Sequence, residues 1–119
     1  EKYATVDGIV THNLDYMVDP LYVSDLVDQQ STTDTAGGGE KPVWAVVGNS
    51  HSAMLVMKNL YESGVRRIIN FYRSDPKFMH VTEEGWTRYQ GIGLKGPVGK
   101  WAREVYMDSL EIQKIRVDK

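Results

Sequence analysis

The sequence contains no cysteine, and this absence excludes several kinds of chemistry. Disulfide bonds, thiolate metal sites and a cysteine nucleophile are all ruled out. No apolar run is long enough to cross a bilayer, so we expect neither a transmembrane helix nor a membrane partner. The first residue is Glu1, and no charged-then-apolar leader follows it. These features favour the cytoplasm as the compartment and indicate a fragment of a longer protein.

A surplus of charge of either sign is also missing. The chain has 14 Lys and Arg against 16 Asp and Glu, which leaves a net charge of −2. Without a basic excess, the sequence gives no indication that it binds nucleic acid. Hydrophobic residues make up 41% of the 119 residues, a proportion typical of a globular protein with one core. We therefore expect residues 1–119 to form a single domain.

The N-terminal part of the chain combines an extended segment, a helix and a polar stretch. Residues 3–10 are rich in β-branched and aromatic side chains, which predicts a strand. Asp19 followed by Pro20 is typical of a helix start, and the helix is predicted to end near Asp28. Residues 29–42 are mostly Gln, Ser, Thr and Gly, so we expect a flexible loop there.

The middle of the chain has the pattern of one β-α-β unit. Residues 43–47 form a continuous apolar run, which is typical of a parallel strand covered on both faces. Apolar residues at helical spacing over 52–63 predict an amphipathic helix that Gly64 terminates. Residues 67–72 predict the second strand. The pattern indicates the α/β class, with a three-layer Rossmann-like domain built on a mainly parallel sheet.

The C-terminal part is less regular. Residues 74–95 contain proline and several glycines, so we expect mostly loop. Pro97 is placed to begin another helix. A final strand is predicted over residues 110–117, with a bulge at Gln113 and Lys114 where the apolar alternation slips.

The turn after the first strand of the β-α-β unit is suited to a phosphate group. Backbone N–H groups at the start of a helix attract anions, and small residues let the backbone come close. Gly48 permits the sharp turn, Ser50 stands where the dinucleotide-binding fingerprint has its second glycine, and Ala53 lets helix and strand pack. The predicted cofactor-binding residues of this turn are Gly48, Asn49, Ser50, His51, Ser52 and Ala53.

The end of the second strand predicts which dinucleotide is bound. An acidic residue there would bind a ribose hydroxyl of NAD, whereas an arginine favours the 2′-phosphate of NADP. Arg73 follows this strand and can pair with a phosphate through two N–H groups. We expect Ser74 and Lys77 to assist it, while Asp75 is the competing residue that would favour NAD.

This turn, together with Arg73 at the next strand end, resembles the NADPH-binding domain of two-domain flavoproteins. The relatives it resembles are the flavin-dependent N-hydroxylating monooxygenases, the lysine and ornithine hydroxylases, whose motif reads Gly-x-Gly-Gln-Ser-Ala. Residues 48–53 match that motif at its first, fifth and sixth positions and depart from it at the third and fourth. The resemblance covers residues 43–73.

The resemblance implies a role and a partner. It implies that the chain binds NADPH, that FAD is held by a separate domain of the same protein, and that the two act in an oxidoreductase of the monooxygenase type. The FAD-binding Gly-x-Gly-x-x-Gly segment of that family is absent from this sequence. The sequence indicates no catalytic residue.

Other interpretations remain open at this stage. The chain could be a non-catalytic nucleotide-binding or interaction module, since a fold does not determine a function. The segment around Ser50 also approaches the nucleophile elbow of serine hydrolases, with Asp75 and His80 in the order that a triad needs. Metal-ligating residue types such as His12 and Asp15 show no recognised spacing, and no metal site is predicted.

Overall fold

The computed structural model describes residues 3–6, 8–37, 42–76, 94 and 96–117. Over these residues it contains an antiparallel sheet of two strands, a parallel sheet of three strands, four α-helices and one π-helical turn. In chain order the elements are β1 (Tyr3–Val6), β2 (Ile9–His12), α1 (Leu14–Met17), α2 (Pro20–Gly37), β3 (Trp44–Val47), α3 (His51–Glu62), β4 (Ile68–Tyr72), α4 (Gly96–Trp101), the π-helical turn (Ala102–Tyr106) and β5 (Ile112–Arg116).

The N-terminal segment forms a β-hairpin, not the single strand expected over residues 3–10. β1 and β2 run antiparallel, with Val6 opposite Ile9 beside the turn. The chain reverses at Gly8, whose φ of 79° lies in the left-handed region that glycine adopts without steric cost. This glycine stands inside a segment with strong β-propensity, so the composition of the segment did not reveal the reversal.

Helix α2 is longer than predicted. It begins at Pro20 as expected, and the Asp19 carboxylate accepts a hydrogen bond from Leu21 N over 2.9 Å. It continues to Gly37, so the loop predicted for residues 29–42 is wrong for residues 29–37. No proline interrupts that stretch, and a polar composition does not by itself exclude a helix. Within the described ranges, no helix is both long and apolar enough to span a bilayer.

The predicted β-α-β unit is confirmed. β3 and β4 pair in parallel, with Trp44 opposite Ile68, and α3 connects them. The connection leaves α3 through Gly64, whose φ is 103°. β5 adds to the other side of β4 in an unbroken parallel register, so the bulge expected at Gln113 is wrong.

One face of the parallel sheet, which we call the inner face, carries the core. Trp44, Ile68 and Ile112 lie on this face, because residues paired in register point to the same side of a sheet. Helix α3 and the segment from α4 to the π-helical turn pack on it, and α1 and α2 pack against α3. Other buried side chains of this core are Met17, Val23, Met54, Met57, Leu60, Leu94, Val98, Trp101, Ala102 and Tyr106.

The side chains of the opposite face of the sheet, the outer face, are exposed or half-buried. Val47 at the end of β3 is 81% exposed, Val43 just before β3 is 47% exposed, and Val117 just after β5 is 43% exposed. The predicted three-layer Rossmann-like domain is therefore wrong. The described residues form a parallel sheet with helices on one face, plus a separate antiparallel hairpin. The side chains of the outer face are Ala45, Val47, Ile69, Phe71, Gln113 and Ile115.

The strand order explains why the described helices that pack on the sheet lie on one face. The strands follow one another as β3-β4-β5 without a reversal. Crossovers between parallel strands are right-handed, so two successive crossovers in the same direction place their helices on the same face. A third layer would need a change of direction, and the three strands of this sheet contain none. The apolar run at residues 43–47 therefore does not mark a strand buried on both sides.

The two faces predict different costs for the same kind of truncation. Ile68 on the inner face is 1% exposed, so Ile68→Ala should lower the free energy of unfolding by about 2–5 kcal/mol through lost burial and a cavity. Val47→Ala on the outer face should cost less than about 1 kcal/mol, mainly through lost β-propensity. Urea unfolding followed by circular dichroism measures both values. Equal losses of unfolding free energy in Ile68→Ala and Val47→Ala would contradict the exposure of Val47 on the outer face.

His12 makes the attachment of the hairpin sensitive to pH. Its ring stacks on Trp44 with centroids 5.2 Å apart, and burial lowers the pKa of His12 from its usual 6.5. The unfolded chain therefore binds this proton more readily than the folded chain, and stability falls as the pH drops below 6.5. His12→Phe keeps an aromatic ring against Trp44 but cannot titrate. It should lose less stability than the wild type between about pH 7 and pH 5, as measured by urea unfolding at each pH. If the stability of both proteins depended on pH in the same way, His12 would not be the source of the pH sensitivity.

Candidate functional site

The turn between β3 and α3 has the backbone shape that a phosphate-binding turn needs. Gly48 has a φ of 98°, which residues with a side chain rarely adopt. Its N–H donates to Phe71 O over 2.7 Å and extends the pairing with β4 one residue beyond Val47. The chain then leaves the sheet, and Ser50, in an extended conformation, is the N-cap residue of α3. The backbone angle is what requires glycine, since a Cβ there would meet no atom closer than 3.9 Å.

The backbone N–H groups at the start of α3 are available to a ligand. The N–H of Met54 is the first with an internal acceptor, Ser50 O at 2.9 Å. The N–H groups of residues 49–53 have no acceptor among the described residues, and the Ser50 side chain makes no capping hydrogen bond. They lie at the positive end of the helix dipole. This arrangement can bind an oxyanion such as a phosphate.

The side chains around this turn differ in exposure. Ser50 and Ser52 are exposed. His51 is half-buried, and its Nδ1 has no hydrogen-bond partner within the described part of the chain. Ala53 is buried and lies 3.9 Å from the position that a Cβ on Gly48 would take. At this distance a Cβ on Gly48 would make only an ordinary van der Waals contact with Ala53, so the packing role of Ala53 stays a prediction.

The loop after β4 lies beside the turn. Asn49 Nδ2 donates to Ser74 O over 2.7 Å, so the loops that follow β3 and β4 are joined at the carboxyl edge of the parallel sheet. Arg73 and Asp75 flank Ser74, and all three residues are exposed. The structure thus brings together the two segments that the sequence predicted to bind one dinucleotide. Lys77 lies outside the described residues.

Two buried side chains beneath the turn were not predicted from the sequence. Asn70 is fully buried on the inner face, and its Nδ2 donates to Val46 O over 2.9 Å and to Gly48 O over 2.7 Å. Its Oδ1 accepts a hydrogen bond from the Tyr106 hydroxyl over 2.7 Å. The available signal was a polar residue within the apolar strand 68–72, because a buried amide must find hydrogen-bond partners.

Tyr106 is a hydrogen-bond donor at neutral pH. Burial raises the pKa of Tyr106 to about 12, and the nearby groups of Tyr72 and Asp75 add to this shift because their negative charges would repel a phenolate. The hydroxyl therefore keeps its proton and donates it to the Asn70 oxygen.

The described residues do not assemble the alternative sites considered from the sequence. The Ser50 hydroxyl has no hydrogen bond to a histidine or a carboxylate in the part of the chain that the structure describes. His80, the third member of the hypothetical triad, lies outside that part. Within the same ranges, no group of three His, Cys, Asp or Glu side chains is placed to hold a metal ion.

Comparison with known proteins identifies no relative of this chain. No family model, no curated protein and no solved structure matches this chain. Its function must therefore be inferred from the residues and geometry of the site itself.

Removal of the Tyr106 hydroxyl should change stability in two ways. Tyr106→Phe leaves Asn70 Oδ1 buried without its donor, which should cost about 1–3 kcal/mol of unfolding free energy at neutral pH. In the wild type, the folded-state pKa of about 12 exceeds the ordinary 10.0, so the unfolded chain loses this proton first and stability falls as the pH rises between those values.

The variant should therefore lose less stability than the wild type on going from about pH 9 to about pH 11. Urea unfolding at neutral and alkaline pH measures both effects. Equal stability of the two proteins at neutral pH would show that the hydrogen bond contributes nothing.

Proposed function

We propose that this chain binds NADPH and holds its pyrophosphate at the turn between β3 and α3. The observation that carries the proposal is the row of N–H groups of residues 49–53, which have no acceptor among the described residues. A pyrophosphate presents several oxygens that accept such bonds, and the helix dipole favours its negative charge. Gly48 keeps the turn free of a side chain, so the ligand can come close to the backbone.

The loop after β4 supports a preference for NADPH over NADH. The bond between Asn49 and Ser74 holds this loop beside the turn. Arg73 is exposed there, and a guanidinium can donate two parallel hydrogen bonds to a 2′-phosphate. We assign the choice of dinucleotide to Arg73, with Ser74 and Lys77 in supporting roles. Asp75 is the nearby carboxylate that would favour NADH, and its effect opposes that of Arg73.

The wider role that we propose comes from the resemblance to flavin-dependent N-hydroxylating monooxygenases. When bound, NADPH supplies a hydride for transfer to FAD, which in this proposal belongs to a separate domain of the same protein. The part played by this chain is to bind the dinucleotide and to orient it. The FAD-binding Gly-x-Gly-x-x-Gly segment of that family is absent from this sequence, which is why the flavin is assigned to another domain.

A second candidate function is a non-catalytic interaction module, and the outer face of the sheet favours it. Parallel sheets are usually covered on both faces. Here Val47 is 81% exposed, and Val43 and Val117 are also exposed. Exposed apolar side chains that form one contiguous patch are typical of a surface that contacts another polypeptide. The two candidates differ in a simple respect, since an interaction module has no need to bind NADPH.

The first proposal predicts saturable binding of NADPH and weaker binding of NADH. Titration of the protein with each dinucleotide, followed by nicotinamide fluorescence, measures both dissociation constants. Arg73→Ala should raise the dissociation constant for NADPH by about ten- to a hundredfold, because a charged hydrogen bond to phosphate contributes about 1.5–3 kcal/mol. The same change should alter the dissociation constant for NADH by less than about threefold.

The matched control is Arg67→Ala. Arg67 is also exposed, but it lies just before β4, at the opposite end of the strand from Arg73. Its removal should leave both dissociation constants unchanged. An equal loss of NADPH and NADH affinity in Arg73→Ala would remove the assigned role of Arg73. Absence of binding of either dinucleotide to the wild type at millimolar concentration would refute the proposed function and leave the interaction module.

A further inference from the structure

Asn70 lies directly beneath the candidate phosphate-binding turn. It is the central residue of β4 and is fully buried. Its side-chain Nδ2 donates to Gly48 O over 2.7 Å and to Val46 O over 2.9 Å. Both bonds reach from β4 to the end of β3. They therefore hold the point at which the chain leaves the sheet.

The bond to Gly48 O also sets the direction of the next N–H group. In a trans peptide the C=O and the N–H lie in one plane and point in opposite directions. Because Gly48 O is directed toward Asn70 in the core, the N–H of Asn49 is directed away from the core. This N–H is the first in the row that is proposed to bind the pyrophosphate.

Tyr106 determines which way round the Asn70 amide lies. Carbonyl groups only accept hydrogen bonds, so the amide nitrogen must face the two carbonyl groups of the β3 segment. The amide oxygen then faces the Tyr106 hydroxyl, which donates to it over 2.7 Å. A reversed amide would place its oxygen against two carbonyl oxygens and would leave the tyrosine to face an NH₂ group.

Tyr106 is held in place from two sides. Met107 N donates to Ala102 O over 2.9 Å, which is the wide spacing of a π-helical turn, a feature frequent at functional sites. Lys114 Nζ on β5 donates to Tyr106 O over 2.8 Å. An unbroken series of contacts thus leads from β5 through Tyr106 to the candidate turn.

We propose that Asn70 is the positioning residue of the dinucleotide site, which orients the peptide between Gly48 and Asn49 so that its N–H faces the pyrophosphate. Tyr106 keeps the Asn70 amide in the required orientation. The inference rests on the function proposed above. It assigns to Asn70 a part in the affinity for the pyrophosphate common to NADPH and NADH, while the choice between them belongs to Arg73.

Asn70→Asp tests this role with a nearly isosteric change. The Asp side chain keeps an acceptor for Tyr106 but offers the two carbonyl groups one O–H donor when protonated and none when ionised, in place of two N–H donors. In the protein without ligand, the amide NMR signals of residues 49–53 should shift, with the largest change at Asn49. The dissociation constants for NADPH and NADH should both rise by about tenfold, with their ratio unchanged.

Asn59→Asp is the matched control. Asn59 is also a buried asparagine, 3% exposed, and its Nδ2 donates to Met17 O over 3.0 Å at the end of α1. Its replacement should lower the free energy of unfolding and leave the turn signals and both dissociation constants unchanged. Tyr106→Phe, which keeps the Asn70 amide, should shift the same turn signals and raise both dissociation constants by less. If Asn70→Asp does not fold, the Tyr106→Phe variant tests the positioning role of Asn70 in its place.

The outcomes separate this inference from the proposed function. If the wild type binds NADPH and Asn70→Asp binds it equally well, the positioning role is wrong and the proposed function stands. If Asn59→Asp weakens binding as much as Asn70→Asp does, the effect is a general loss of stability and the positioning role is again wrong. If the wild type binds neither dinucleotide, the proposed function fails and the role of Asn70 in binding fails with it.

Discussion

The hydrogen bond from Asn70 to Gly48 O is the contact on which both the core and the candidate site depend. The amide is fully buried, where an unsatisfied polar group costs about 1–3 kcal/mol. Two carbonyl groups use its donors and the Tyr106 hydroxyl uses its acceptor, so the group is well satisfied. One side chain therefore ties β3, β4 and the π-helical turn together. The same contact gives the first peptide of the turn its direction, which links core packing to the geometry of the candidate site.

The second constraint is the direction in which the sheet is wound. Three strands in the order β3-β4-β5, joined by right-handed crossovers, place their helices on one face. The inner face therefore holds the buried polar network as well as the apolar core, while the side chains of the outer face are exposed, as Val47 is, or half-buried. The turn that ends at Ser50 lies at the carboxyl edge of this sheet. In open parallel sheets, ligands bind at the carboxyl edge where the strand order reverses, and the order β3-β4-β5 contains no reversal. The candidate site therefore depends on the turn itself and not on the winding of the sheet.

Local signals in the sequence predicted the local structure well. Asp19 and Pro20 begin α2, and Gly64 follows the end of α3, because capping and φ preferences depend on a few neighbouring residues. Errors arose where two local signals compete. Gly8 turns the chain inside a segment with strong β-propensity. Residues 29–37 have the composition of a linker yet extend α2, since none of their side chains forbids helical φ and ψ.

The sequence by itself determined the strand, turn and helix around Gly48, because an apolar run, a glycine and a helical periodicity are all properties of adjacent residues. Only the tertiary structure decided which face of the sheet is covered, since that depends on strand order and crossover direction. It also decided that Asn70 meets Tyr106, 36 residues further along the chain. Periodicity places a residue on one face of its own element, whereas its partner across the core is set by how the elements are packed.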